Sequence, residues 1–191
     1  VPILKNPKIG ITGSKLLFLD GKTIQFAGGG MHPNGLTYHQ GYAEEDKGQY
    51  DQPKDVEYIT GASMAIRREL LDQTGMLDEG FPLYFEDIDL CFQARKLGYC
   101  VRYIPQSVVL HFETFGTPKN SHEYYFKYHR GRMRFILKHC GMKYFFQTFL
   151  PAEWKWYHEG DMAQQFMPLI EAYWSQVFKI PFFWTRGYIE R

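Results

Sequence analysis

The sequence has almost no charge imbalance and no long apolar run, and these absences exclude two classes of protein. Lys and Arg number 22 and Asp and Glu number 21, which gives a formal net charge of +1 at pH 7. A chain so close to neutrality has no bulk attraction for phosphate backbones, so we exclude nucleic acid as a partner. Nor does it contain the roughly 18 consecutive apolar residues of a membrane-spanning helix, or a signal peptide.

Cysteine is scarce, and the glycine-rich stretch lacks the neighbours of a phosphate loop. Cys91, Cys100 and Cys140 are odd in number and form no CxxC pair, which argues against a zinc site or a disulfide framework. We expect reduced thiols in a cytoplasmic protein. The glycines at 28–30 are followed by neither a Gly-Lys-Ser/Thr motif nor a helix start, so we interpret them as a turn or bulge.

Aromatic residues, in contrast, are abundant: 16 Phe, 14 Tyr and 4 Trp. They suit a thick core, a sugar-stacking surface or a membrane-facing patch, and composition alone does not choose among the three. The chain of 191 residues is long enough to bury a core as one domain with a helical appendage.

The order of predicted elements is mixed α/β followed by all-helical, with a boundary near residue 118. Asp20 and Gly21 indicate a hairpin turn. We expect residues 31–55 to form a long loop. The predicted strands are 15–19, 23–27, 56–66, 99–104 and 107–112, the last two separated by Pro105. The predicted helices are 67–73, 86–97, 121–139, 143–159 and 161–178.

Three carboxylates crowd the start of the predicted helix 86–97. Asp87 and Asp89 match a DxD pattern, but residues two apart on a helix point about 200° apart and could not share one ion. We therefore expect Asp87 to face a site as a general base, kept ionised by the helix N-terminus, while the other acids hold the helix. The alternative is that all three only stabilise the helix start through its dipole.

A single histidine and two aromatic clusters are further candidates for function. His111 ends an apolar strand, where it is either a ligand for a divalent ion or a satisfied edge histidine. Two clusters, one with Trp154 and Trp156 and one with Trp184, interleave aromatics with charge; they either pack in the core or contact a membrane interface. The basic helix over 127–139 either presents a solvated face or contacts phosphates or anionic lipid.

Five ordered blocks of the sequence form a recognisable series. They are residues 60–68 (TGASMAIRR), 75–81 (GMLDEGF), 84–90 (YFEDIDL), 98–99 (GY) and 108–111 (VVLH). In this order they resemble the family 2 glycosyltransferases, most closely the rhamnosyltransferase and galactofuranosyltransferase-like branch, which residues 15–17 (KLL) and 24–29 (IQFAGG) also match. The resemblance covers residues 8–140 well and the helical tail loosely.

The resemblance implies the C-terminal part of a GT-A, Rossmann-like α/β fold: residues 1–118 as its acceptor-side half and residues 119–191 as a helical region. It implies an inverting transfer from a nucleotide sugar to a glycan or lipid-linked acceptor in cell-surface polysaccharide assembly. Asp87 corresponds to the general base, His111 to a metal ligand in some members, and Thr60, Gly61, Ala62 and Glu86 to the substrate cleft. The ion would be Mg²⁺ or Mn²⁺.

The nucleotide-binding half of that family, with its metal-binding DxD, should precede Val1. We therefore expect the isolated chain to be inactive, and to need a partner chain or to self-associate. We expect it in the cytoplasm, peripheral to the inner face of the cell membrane. The alternative is a non-catalytic carbohydrate-binding scaffold, or a membrane-associating half of a split enzyme.

Overall fold

The computed structural model of the chain describes residues 5–112, 119–160 and 164–179. They fall into two compact units. The first unit comprises Val1–Gly30, Thr37–Gly80 and Glu86–Glu113, and the second comprises Met31–Leu36, Phe81–Phe85 and Thr114–Arg191. The division into domains at residue 118 stays a prediction.

A mixed sheet forms the centre of the first unit. Its strands are β1 (Ile9–Leu17), β2 (Ile24–Phe26), β5 (Lys54–Asp55), β6 (Met64–Ile66) and β7 (Cys100–Leu110). Strand β1 is buried along its whole length, because it runs parallel to β7 on one side and pairs antiparallel with β2 and β6 on the other. Strand β5 extends the sheet beyond β7.

The hairpin predicted at Asp20 is confirmed. Gly21 adopts a positive φ of 67°, and the Asp20 carboxylate accepts hydrogen bonds from the backbone N–H groups of Lys22 and Thr23. These bonds fix the turn that joins β1 to β2.

Two predictions from sequence were wrong in detail. The segment 31–55 is not one loop, because β3 (Gly29–Met31) and β4 (Thr37–His39) form a small second sheet. The predicted strand 56–66 is interrupted by a 3₁₀ turn at Gly61–Ser63, and only β6 pairs with β1. Strands this short leave too few alternating positions to be recognised from a pattern.

Strand β7 continues through Pro105, where sequence predicted a break. The register with β1 shifts between Ser14 and Lys15, whose partners are Ile104 and Val108. Three residues of β7 thus bulge out of the ladder, and a bulge can accommodate a residue that has no N–H to donate.

Two helices accompany the first sheet and agree with the predicted positions to within a residue. Helix α1 (Arg68–Thr74) ends at Gly75, which has a positive φ of 71°. Helix α2 (Glu86–Lys96) carries Glu86, Asp87 and Asp89 in its first turn and buries Leu90, Cys91 and Ala94 along one side. The carboxylates at its start therefore stand on a helix that the core holds firmly.

The second unit is helical. Its elements are α3 (His122–His139), α4 (Met142–Tyr144), a π-helical segment (Phe145–Phe149), α5 (Leu150–Glu159) and α6 (Phe166–Val177). Ser121 caps α3 by accepting a hydrogen bond from the Tyr124 N–H. The Asp161 cap predicted for the last helix lies outside the described residues. Within the described residues no helix is long and apolar enough to cross a membrane.

A buried ion pair joins three of these helices. Arg132 of α3 donates from Nη1 and Nη2 to the two carboxylate oxygens of Glu153 on α5, each at 2.7 Å. Its Nη2 also donates to the Tyr173 hydroxyl on α6 at 2.9 Å, and its Nη1 donates to the Asn34 carbonyl at 3.0 Å. Such bidentate pairing offsets the cost of removing the guanidinium from water.

His129 is fully buried on the same helix. Burial, together with the charge of Arg132, lowers the pKa of its imidazole to about 3, and a hydrogen bond with Gln165 opposes the shift only in part. The ring packs against Tyr125 and Trp156. The folded protein therefore holds His129 neutral where the unfolded chain, with an ordinary histidine pKa near 6.5, binds a proton.

The second unit should lose stability as the pH falls from about 6.5 toward 3. Between these two pH values the unfolded state binds more protons than the folded state. The contribution of His129 to stability is therefore fully present above pH 6.5 and is lost as the pH falls toward 3, by on the order of 4 kcal/mol. His129→Phe should flatten the slope, while His122→Gln on the exposed end of α3 should not. Urea titrations at several pH values between 3 and 7 measure the free energy of unfolding. If it falls equally steeply with pH in His129→Phe and in the wild type, His129 is not the titrating group.

Candidate active site

Asp87 is fixed by backbone donors at the start of α2. Its Oδ2 accepts a hydrogen bond from the Gly61 N–H at 2.8 Å, and its Oδ1 accepts one from the Ile88 N–H at 2.8 Å. The Thr60 hydroxyl is a further partner. These contacts hold the carboxylate in one orientation next to the 3₁₀ turn at Gly61–Ser63.

The electrostatics of Asp87 differ from the sequence-based expectation. Burial raises its pKa, and the hydrogen bonds from Gly61, Ile88 and Thr60 oppose the shift without overcoming it. The carboxyl group is enclosed by protein atoms, although the residue as a whole keeps some exposed surface. The helix N-terminus is thus not the dominant influence: desolvation makes Asp87 a stronger base than an exposed aspartate.

Glu86 stands beside Asp87 and shares its environment. Burial raises the pKa of its carboxyl group, and the negative charge of Asp87 raises it further. Its Oε2 is buried without a hydrogen-bond partner among the described residues. A buried carboxylate oxygen with no partner is energetically costly.

The turn that faces these carboxylates is anchored at two points. The Thr60 hydroxyl accepts from the Ala62 N–H at 3.5 Å, which starts the 3₁₀ turn. One turn along α2 from Asp87, the buried thiol of Cys91 contacts both the N–H and the carbonyl of Ile59. Thr60, Gly61, Glu86 and Asp87 therefore meet in one place, and Ala62 lies in the same turn.

Asp89 has a different environment from Asp87. It is buried, and its Oδ2 accepts a hydrogen bond from Gln93 on the next turn of α2 at 2.7 Å. The two acids of the DxD pattern thus have different partners, as the helical geometry predicted. Asp89 holds the helix, while Asp87 is bound to the turn that carries Gly61.

His111 directly follows the last residue of β7 and is half-buried. Its Nδ1 lies 2.7 Å from Oε1 of Gln25 on β2. This contact fixes the orientation of the ring, as a hydrogen bond at the other ring nitrogen commonly does for metal-ligating histidines. Ser14 of β1 connects Ser63 of the 3₁₀ turn to Ser107 of β7, each at 2.8 Å.

The described residues do not assemble a metal site by themselves. They contain no group of three or more His, Cys, Asp or Glu side chains placed to hold one ion. His111 can supply one nitrogen ligand, but a divalent ion needs several ligands. A divalent ion at His111 would therefore need further ligands, and the role of His111 as a ligand stays a prediction.

One cluster of charged side chains was not predicted from the sequence. Lys15 of β1 is buried, and its Nζ donates to both carboxylate oxygens of Asp46, at 2.8 and 3.0 Å, and also pairs with Asp51. Burial lowers the pKa of Lys15, but the two carboxylates outweigh it and raise the pKa overall. A lysine inside an apolar strand, together with an acid-rich segment, was the available signal. The cluster ties residues 46–51 to the sheet.

The tryptophans considered for membrane contact divide between exposed and packed positions. Trp154 is 67% exposed. Trp156 is half-buried and packs against the buried Arg132 and His129, with its ring 5.2 Å from the guanidinium carbon. Trp184 lies outside the described residues. Trp174 on α6, which sequence did not single out, is 64% exposed.

The fold resembles that of a solved GT-A glycosyltransferase. The chain superposes on a crystal structure of GalNAc-T7 with UDP, GalNAc and Mn²⁺ with a TM-score of 0.54 at 15% identity, covering 94% of this chain and 37% of that one. At this level of identity the likeness establishes the fold alone. The fold is therefore that of a GT-A glycosyltransferase: a mixed sheet with helices.

The family follows from sequence similarity. The chain matches the profile described as "Glycosyltransferase like family 2" over residues 2–134, and it belongs to that family. It is 28% identical over 89 residues to N-acetylglucosaminyl-diphospho-decaprenol L-rhamnosyltransferase of Mycobacterium tuberculosis, covering 46% of this chain and 29% of the relative. It is 28% identical over 116 residues to the O-antigen biosynthesis protein RfbC of Myxococcus xanthus, covering 58% and 9%. The chain thus spans less than a third of the length of these relatives.

Proposed function

We propose that the protein carrying this chain is an inverting glycosyltransferase that moves a sugar from a nucleotide-sugar donor to a glycan or lipid-linked acceptor. The observation that carries the proposal is the carboxylate of Asp87, held at the start of α2 by the Gly61 N–H. Membership of family 2 supports the reaction class. The names of two relatives, which refer to rhamnosyl transfer and O-antigen biosynthesis, support a role in cell-surface polysaccharide assembly.

In the proposed reaction, Asp87 removes the proton of an acceptor hydroxyl while that oxygen attacks the anomeric carbon of the donor. The new bond joins the acceptor oxygen to the anomeric carbon. The bond from that carbon to the nucleoside diphosphate breaks, and the diphosphate leaves with the electron pair. A single displacement of this kind inverts the anomeric configuration. Glu86 is proposed to accept a hydrogen bond from the acceptor sugar through its carboxylate.

The proposal has three further parts that rest on relatives. A divalent ion would neutralise the leaving diphosphate, with His111 as one ligand; the Mn²⁺ in the GalNAc-T7 structure is consistent with such an ion. The acceptor is proposed to be lipid-linked, because the mycobacterial relative is named for a diphospho-decaprenol acceptor. A lipid-linked acceptor would place the protein at the cytoplasmic face of a membrane, peripherally attached.

Transfer with inversion is the direct test. The protein, expressed from its complete reading frame, is incubated with a panel of nucleotide sugars, Mn²⁺ and a lipid-linked acceptor. Release of nucleoside diphosphate identifies the donor, and NMR of the product gives its anomeric configuration. Inverted product supports the proposal. Retained configuration would exclude the single displacement, and turnover of no donor would favour the carbohydrate-binding alternative.

Gly61→Ala probes the space beside the carboxylates. A methyl group at this position would lie 3.8 Å from the Asp87 Oδ2 and 4.0 Å from the Glu86 Oε1, which is ordinary contact, so the fold should tolerate it. The methyl group occupies the place where an acceptor hydroxyl must approach. We expect transfer to fall roughly 10- to 100-fold through misplacement of the acceptor. Thermal unfolding is the control. If both the Tm and the rate of transfer are unchanged, the acceptor does not bind beside Gly61.

A further inference from the structure

Two helices of the second unit line an open apolar groove, here called the α5–α6 groove. Leu150, Trp154 and Tyr157 of α5 recur at the spacing of one helix face, as do Phe166, Leu169, Ile170 and Tyr173 of α6. Phe146, Pro151 and Glu153 complete the lining. The volume is about 760 Å³, which lies within the range of ligand pockets.

The floor of the α5–α6 groove contains no unsatisfied carboxylate. Glu153 and Tyr173 are its polar members, and both are bonded to the buried guanidinium of Arg132. The groove therefore offers an occupant almost only apolar surface. Its walls are exposed, with Trp154 at 67% and Phe146 at 53%. Contiguous exposed apolar surface of this kind is unusual in a monomeric protein and indicates a binding surface.

The charge of the same unit favours an anionic occupant. Its described residues include nine Lys and Arg against four Asp and Glu, a formal charge of +5. Lys143 stands three residues before Phe146, and Lys155 directly follows Trp154; both side chains are exposed. An apolar trough on a unit of net positive charge suits a molecule that has a long hydrocarbon tail and a phosphate head.

We propose that the α5–α6 groove binds the isoprenoid chain of the lipid-linked acceptor, with Lys143 and Lys155 close to its phosphates. This inference rests on the proposed function, because it assigns the acceptor's lipid to a place on the chain. It also separates two roles for the exposed tryptophans. Trp154 lines the groove and contacts the chain, whereas Trp174 on α6 is similarly exposed but outside the lining.

The test is binding of farnesyl diphosphate, a soluble isoprenoid diphosphate, to the 191-residue chain labelled with ¹⁵N-tryptophan. The indole N–H signal of Trp154 should shift on titration and that of Trp174 should not. Trp154→Ala should weaken binding roughly tenfold through lost apolar contact, and the matched Trp174→Ala should leave it unchanged. Ile170→Asn in the lining and Met167→Asn outside it form a second matched pair.

Two control ligands test the contributions of the isoprenoid tail and the diphosphate head to binding. Farnesol alone and inorganic diphosphate alone should each bind more weakly than farnesyl diphosphate. Three outcomes would overturn the inference: absence of binding, equal loss in Trp154→Ala and Trp174→Ala, as in non-specific adsorption, or a concentration-dependent dimer that Trp154→Ala dissociates. Because this binding needs neither donor nor Asp87, it can fail while transfer to a soluble acceptor persists. Equally, it can succeed while no transfer is found, so the two proposals fail separately.

Discussion

Asp87→Asn should lower the turnover of the glycosyltransferase by about 10²- to 10⁴-fold while leaving donor binding nearly intact. The asparagine amide can keep a contact with the Gly61 N–H through its oxygen, but it cannot take the acceptor proton. Initial rates of nucleoside diphosphate release measure turnover, and titration with the nucleoside diphosphate measures donor-site binding. The loss should therefore appear in kcat, with KM for the donor little changed.

The control for this substitution is Asp72→Asn on α1, an exposed aspartate whose partner is Arg68 at the i−4 position. Its kcat should match the wild type. Glu86→Gln is the second comparison, because Glu86 shares the buried environment of Asp87. If Asp87→Asn keeps turnover within a few-fold of the wild type while Glu86→Gln abolishes it, the base is Glu86, and Asp87 serves only to hold the turn.

Arg132→Met should destabilise the second unit by about 3–5 kcal/mol. The substitution leaves the Glu153 carboxylate buried without its cation and removes a donor to Tyr173. The described tryptophans, Trp154, Trp156 and Trp174, all belong to the second unit, and the ranges of the first unit contain none, so tryptophan fluorescence during urea unfolding follows the second unit. A much smaller loss would show that water reaches Glu153.

Two further variants isolate the charge effect. The double variant Arg132→Met with Glu153→Met should recover most of the stability, because it removes both buried charges instead of leaving one unpaired. Arg68→Met breaks an exposed pair with Asp72 and should cost less than about 1 kcal/mol. If the double variant is as unstable as Arg132→Met, the loss comes from packing and not from an unpaired carboxylate.

Local signals in the sequence were sufficient for the helices and for the first hairpin. The bounds of α1, α2 and α3 follow from apolar spacing and from end signals such as Gly75 and Ser121. Each end signal lies next to the helix that it marks. The hairpin at Asp20 follows from a turn that its own neighbours stabilise. Short strands are different, since β4 and β6 exist only because a partner strand pairs with them.

Sequence also determined which acids start α2, and helical geometry separated Asp87 from Asp89 before any contact was known. Only the tertiary structure decided the environment of each. The pKa of Asp87 is raised because residues distant in sequence enclose it, and its Gly61 partner lies 26 positions away. Likewise, Lys15 with Asp46 and Arg132 with Glu153 are pairs that no periodicity reveals. Neighbouring residues determine helices and turns, whereas burial and charge pairing depend on which distant segments the fold brings together.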